Sequence, residues 1–178
     1  MKKIFIVLLI VFSFSACEKD DICDANTSTT PRLVIAFFDI TNPSIPKKVT
    51  NLKVIGTGKT EGIVFNPTAT GETKYLSNES TISIPLKTDA DVTGYSFILN
   101  SGNSNSTLID QDDVTFFYTR KDLFVSRACG FKTVFTFDPT KPYTQVPVPN
   151  IKLKWMKYIS IEKSNIDTEN ETHVKVFF

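Results

Sequence analysis

Histidine is almost missing from this chain: His173 stands alone among 178 residues. A Ser/His/Asp triad would have to run through it, with Ser126 the most conspicuous hydroxyl. Nothing in the order of residues draws an Asp, that His and a Ser together. Cysteine is limited to three, and with one His that does not readily furnish a four-ligand zinc site. No run of Lys or Arg occurs and the formal net charge is +1, which argues against nucleic acid as a partner. The apolar run 4–12 is nine residues, short of the roughly 20 that span a bilayer as a helix. The Asp-x-Asp-x-Asp-Gly pattern of a calcium loop is absent. Asp110-Gln111-Asp112-Asp113 and Thr88-Asp89-Ala90-Asp91 therefore read as acidic turns between strands. No internal repeat and no window of helical periodicity appears after residue 16. These absences leave a chain without a visible catalytic constellation, and the expectation is a non-enzymatic protein with no cofactor and no metal.

What is present is an address. Lys2 and Lys3, the apolar run 4–12 and the small residues Ser13, Ser15 and Ala16 make a bacterial secretory signal peptide, residues 1–16. Cys17 directly after Ser15-Ala16 looks like a lipobox cysteine, to be acylated and to carry the protein on the membrane; Phe14 stands where Leu is commoner. The next residues, Glu18, Lys19, Asp20 and Asp21, resemble the surface-export signal of Bacteroidota lipoproteins, a Lys with acidic residues just after the acylated Cys. Removal of residues 1–16 leaves 162 residues and moves the side-chain charge from +1 to −1. Residues 17–31 then form the acylated Cys and its tether, and residues 32–178 one domain of ample size for a core. With Cys17 acylated, Cys23 and Cys129 remain. In an oxidising compartment two such thiols are expected to pair, the alternative being one buried and one tether thiol.

The body reads as strands divided by Gly, Pro, Asn and Asp. Residues 32–40 are apolar on both faces, which suggests a central strand or one side covered by a partner. Further strands are expected at 49–55, 62–65, 81–87, 93–99, 113–120, 123–125, 131–137, 151–162 and 173–178. Pro85 marks 81–87 as an edge strand. The four prolines of 138–150 predict an extended loop, and 165–171 a polar turn. Eight to ten short strands imply an all-β fold, a single antiparallel β-sandwich of Ig-like or jelly-roll-like kind, with 15 Phe residues supplying much of the core.

Several blocks together resemble a family. Ile22-Cys23, Thr30-Pro31-Arg32-Leu33, Ile84-Pro85-Leu86-Lys87-Thr88, Tyr118-Thr119-Arg120, Phe124-Val125-Ser126-Arg127-Ala128-Cys129-Gly130-Phe131-Lys132 and His173-Val174-Lys175-Val176 are similar to an uncharacterised lipoprotein family of flavobacteria and other Bacteroidota. The resemblance covers most of the chain after Cys17, and the Val-Ser-Arg-Ala-Cys-Gly block is its most specific part. It implies a lipid-anchored envelope protein, with Cys23 and Cys129 both in family-like motifs, and it supplies no ligand and no activity.

These readings converge on an outer-membrane, cell-surface lipoprotein acting as a binding or accessory subunit of an outer-membrane β-barrel complex, for barrel assembly or nutrient uptake. Arg127, beside Cys129, is the candidate contact for a partner or an anionic lipid, with Arg120 and Tyr143 as further contacts. The alternative is a free-standing carbohydrate-binding lipoprotein, with Trp155, Tyr143, Tyr158, Phe177 and Tyr75 as the aromatics for stacking on a glycan.

Overall fold

Strand β1 (Leu33–Phe38) is apolar at successive positions because it is enclosed: its first five residues are all buried. It lies between β4 (Thr81–Ile84), antiparallel with Leu33 opposite Ile84, and β11 (Val174–Phe177), parallel with Ile35 opposite Val174. β9 (Tyr158–Ile161) pairs antiparallel with β11 and completes a four-stranded sheet in the order β4-β1-β11-β9. β4 is an edge strand, as Pro85 directly after it requires. These relations come from a computed structural model that describes residues 22–24, 27, 29–149 and 153–178. The signal-peptide, Cys17 and Glu18–Asp21 expectations lie outside the described residues, as do residues 150–152.

The second sheet is built on β6 (Asp110–Ser126), which is 17 residues long. One of its edges pairs with β5 (Val92–Leu99) along residues 110–117. The other pairs first with β7 (Gly130–Phe137) and then with β8 (Tyr143–Val148), which continues the same line beyond a short excursion. At that junction the Phe117 carbonyl accepts from Asp138 N–H, and Phe117 N–H donates to the Pro142 carbonyl. β2 (Leu52–Gly56), β3 (Leu76–Ser77) and β10 (Asn165–Ile166) complete a sheet of seven strands, six in the order β10-β7-β6-β5-β2-β3 and β8 appended to β6.

The two sheets make a β-sandwich. Alternate residues of the facing strands fill it: Leu33, Ile35 and Phe37 from one side, Val54, Phe97, Phe116 and Phe135 from the other, each essentially inaccessible to water. Burying a Phe or Leu contributes about 1.5–3 kcal/mol, and truncating a core Phe to Ala costs about 3–5 kcal/mol. Trp155 packs on Phe37 and Phe178 and donates its indole N–H to the Phe97 carbonyl at 3.1 Å.

Several expected elements differ. The segment 138–150 is not all loop: β8 tolerates Pro147 because β8 pairs with β6 alone, and Pro147, opposite Asp112, falls at a position that does not donate to β6. The expected strands 113–120 and 123–125 are one strand, since Lys121 and Asp122 are exposed positions of a continuous ladder rather than a break. Residues 62–65 contribute only an isolated bridge, Gly62 to Ile55. The expected 151–162 strand is confined to Tyr158–Ile161, and its preceding residues turn so that Trp155 and Met156 enter the core. The sandwich is antiparallel except for the β1–β11 pair, where the first and last strands run side by side.

Candidate functional site

The site is built where the β6–β7 hairpin outruns the rest of its sheet. β5 stops pairing at Phe117, and the last β5-side bond is Tyr118 N–H to the Asp91 carbonyl. β6 and β7 continue together to Ser126 and Gly130, with a bulge between Phe124 and Ser126. The turn is closed by Cys129 N–H donating to Ser126 Oγ at 3.0 Å. It ends on Gly130, whose φ of 70° belongs to the left-handed region that a side chain disfavours.

At this tip Cys23 and Cys129 form a disulfide, S–S 2.01 Å and Cα–Cα 4.9 Å, across 106 residues of sequence. The paired-thiol expectation therefore holds. The bridge clamps the N-terminal segment to the hairpin, and Thr133 N–H donating to Thr30 Oγ1 at 2.9 Å adds a second hold along β7. Between the strap and the hairpin lies a small pocket of about 280 Å³, lined by Cys23, Thr27, Thr30, Val125, Phe131 and Lys132.

Among the described residues, no strand of the facing sheet covers the end of the hairpin's core-facing row. It runs Tyr118 and Phe137, Arg120 and Phe135, Asp122 and Thr133, Phe124 and Phe131. The first pair is buried; the last is exposed, Phe124 at 61% and Phe131 at 68%, the two rings meeting edge to face at 5.4 Å. Ile22, beside Cys23, is 81% exposed. Three large apolar side chains are thus exposed at this end of the strap and hairpin.

The other expected contacts fall in different surroundings. Arg127 is exposed in the hairpin turn. Arg120 is engaged by Asp91 at 2.6 Å and by the Thr88 carbonyl, and the Asp91 carboxylate raises its guanidinium pKa further. Tyr143 is half-buried, its hydroxyl donating to the Ile159 carbonyl at 3.0 Å, and burial raises its pKa.

Nothing catalytic is drawn together. Ser126 Oγ serves the hairpin turn, while His173 is fully buried in the sandwich, its Nδ1 accepting from Val34 N–H at 3.0 Å. His173 is thus an interior residue. Burial lowers its pKa, opposed by Glu171, Asp167 and Glu169. The acidic segment around Asp112 is split by the strand alternation. Asp112 alone is fully buried, its Oδ2 accepting from Met156 N–H at 2.9 Å and the Gln145 amide at 3.0 Å, and desolvation raises its pKa. Among the described residues no three His, Cys, Asp or Glu side chains cluster as metal ligands.

Two of the aromatics considered for glycan stacking are interior: Trp155 and Tyr75 are 5% and 3% exposed. A row that alternation alone did not single out lies on the outer face of the four-stranded sheet. Phe38, Phe177 and Tyr158 occupy matched positions on β1, β11 and β9. Their centroids are 5.7 Å apart at each step, with ring planes inclined by 33° and 35°, and Tyr158 is 58% exposed. A shallow cleft of about 290 Å³ opens elsewhere, among Thr57, Ile63, Leu86, Gly94 and Tyr95. The Tyr95 hydroxyl there donates to the Pro85 carbonyl, and burial, aided by Tyr118, pushes its pKa up to about 12.

Fold and site together define an all-β sandwich protein whose N-terminal strap is clamped by a disulfide to a projecting hairpin. Residues 51–178 match the family model described as "Family of unknown function (DUF6452)", and the chain belongs to that family. No curated protein and no solved structure matches the chain.

Proposed function

We propose that this protein is a lipid-anchored outer-membrane protein of the Bacteroidota type, displayed at the cell surface as a non-enzymatic binding or accessory subunit of a β-barrel complex, in barrel assembly or nutrient uptake. Acylation falls on Cys17, and Glu18, Lys19, Asp20 and Asp21 act as the export signal. The observation that carries the reading is the strap. Cys17 lies six residues from Cys23, and Cys23 is bonded to the body at Cys129. An anchor on Cys17 therefore holds the sandwich close against the membrane rather than at the end of a long leash. Confinement to the membrane plane raises the effective concentration for a membrane partner without strong intrinsic affinity.

A second reading, a free-standing glycan binder, is favoured by the outer aromatic row of Phe38, Phe177 and Tyr158, which offers a flat apolar strip to sugar rings. One experiment separates the two: affinity purification of the tagged protein from native outer membrane in mild detergent, with mass spectrometry of what accompanies it. The accessory-subunit reading expects a stoichiometric barrel protein. Recovery of the protein alone overturns it, and glycan-array binding that is lost in Tyr158→Ala then supports the second.

A further inference from the structure

The geometry points to the β6–β7 hairpin tip as a membrane-docking element: Phe124 and Phe131, with Ile22 beside them, are seated in the interfacial layer of the bilayer that holds the Cys17 anchor. The inference rests on the proposed acylation of Cys17 and goes beyond it, since an anchor alone leaves the orientation of the body free.

Three observations carry it. The first is exposure without a structural reason. Phe124 and Phe131 belong to the core-facing row of their strands, yet no element of the sandwich reaches them, and they remain 61% and 68% exposed. A paired aromatic cluster in water marks a surface that another medium covers. The second is chain length. Six residues separate Cys17 from Cys23, and a fully extended chain of six residues reaches about 20 Å. The third is the covalent fix: Cys23 is bonded to Cys129, whose neighbour but one is Phe131. The acylated residue cannot sit in the bilayer while this tip points away from it. Of all exposed apolar groups among the described residues, those at the tip are the ones the tether delivers to the lipid.

The seat is apolar rather than electrostatic. Arg127 is the exposed cation of the turn, and its aliphatic stem suits a guanidinium held at the level of the phosphates. Glu18, Asp20 and Asp21 in the tether oppose a general attraction to anionic lipid. Amphipathic elements of this kind bury their apolar side chains about 5–10 Å into the headgroup boundary.

The test adds a second indole to the chain. Its single Trp, Trp155, is buried in the core, so F124W adds one indole at the tip. The full acylated F124W protein is reconstituted into phosphatidylcholine vesicles carrying phosphatidylcholine brominated near the top of its acyl chains. The expected result is at least a twofold loss of the added indole's emission with a blue shift, while the unsubstituted protein is unchanged. Unquenched emission from protein that floats with the vesicles overturns the inference and leaves the tip to a protein partner. The mass of the protein isolated from membranes reports acylation separately. A protein lacking the lipid defeats the anchoring reading, and the vesicle experiment on that same protein still decides the tip, quenching supporting it and its absence refuting it.

Discussion

Replacing Cys23 and Cys129 by Ser opens a loop of 106 residues. In the chain-entropy account a cross-link of that length stabilises by about 4.7 kcal/mol, because it removes conformations from the unfolded chain. That figure assumes that the native state is the same with and without the bridge, and here it is not. Cys23 lies in a strap that is also held to the body by Thr133 N–H donating to Thr30 Oγ1. Once the bridge is gone the strap around Cys23 gains freedom in the native state as well. Each ordered residue released returns about 1–2 kcal/mol of backbone entropy, partly offset by the lost contacts of Thr27 and Val125 around the small pocket. The expected loss is therefore about 2–4 kcal/mol rather than the full value. At about 2–4 °C per kcal/mol for a chain of this size, the melting temperature falls by roughly 4–16 °C. Urea unfolding followed by Trp155 emission measures it, since that indole sits in the core between Phe37 and Phe178. A midpoint unmoved by the double substitution refutes the reasoning. So does a loss of stability with no gain in tryptic cleavage after the exposed Arg127, because the hairpin turn should loosen first.

Three further substitutions, at two positions, address the buried polar groups. Asp112→Ala leaves Met156 N–H and the Gln145 amide without their acceptor and should cost about 2–4 kcal/mol at pH 7. Asp112→Asn keeps an acceptor oxygen and removes a charge whose folded pKa is raised by burial above 3.8. That group's contribution is greatest below its unfolded pKa and is lost as pH rises through the folded value, so Asn should be the milder change at neutral pH; equal losses for the two variants count against this account. His173 acts in the opposite sense. Its folded pKa lies below the unfolded 6.5, so the unfolded chain takes up the proton first and stability falls as pH drops below about 6.5, by at most about 1.4 kcal/mol per pH unit. Urea midpoints at several pH values between 7.5 and 5 should show that slope reduced in His173→Gln, and parallel profiles for the two proteins would sink the assignment.

The all-β class and most strands were legible because two-residue alternation survives wherever one face of a sheet is wet. Residues 93–99 and 131–137 show it, and they lie in β5 and β7. β1 was legible for the opposite reason: a strand covered on both sides loses its alternation and becomes continuously apolar. What failed was local punctuation. Four prolines in 138–150 suggested a loop, yet β8 is held by the facing β6, whose paired residues lie 27 to 37 positions away and that no local rule can see. Trp155 suggested a strand face, and instead a turn delivers it into the core, where the Phe97 carbonyl meets its N–H. In the site, the disulfide followed from counting thiols. The exposure of Phe124 and Phe131 did not, because their alternation is that of a core row. Only the length of β6 relative to β5 shows that the row runs off the end of the sandwich.

That overrun also bears on why the bridge stands where it does. Stabilisation by a cross-link depends on the logarithm of loop length, and halving a loop changes it by only about 0.6 kcal/mol. A partner for Cys23 almost anywhere in the second half of the chain would therefore serve stability nearly as well. A body of this size, with a core that includes Phe37, Phe97, Phe116 and Phe135, also stands above the range where small domains need disulfides to fold. The particular choice of Cys129 changes something else: which end of the sandwich is held within about 20 Å of Cys17. It selects the end where the hairpin leaves two Phe rings uncovered and keeps the outer aromatic row of Phe38, Phe177 and Tyr158 on a separate sheet. Stability is indifferent to that choice and orientation is not; under the proposed acylation of Cys17, the position of the bridge is explained by what it points toward the bilayer.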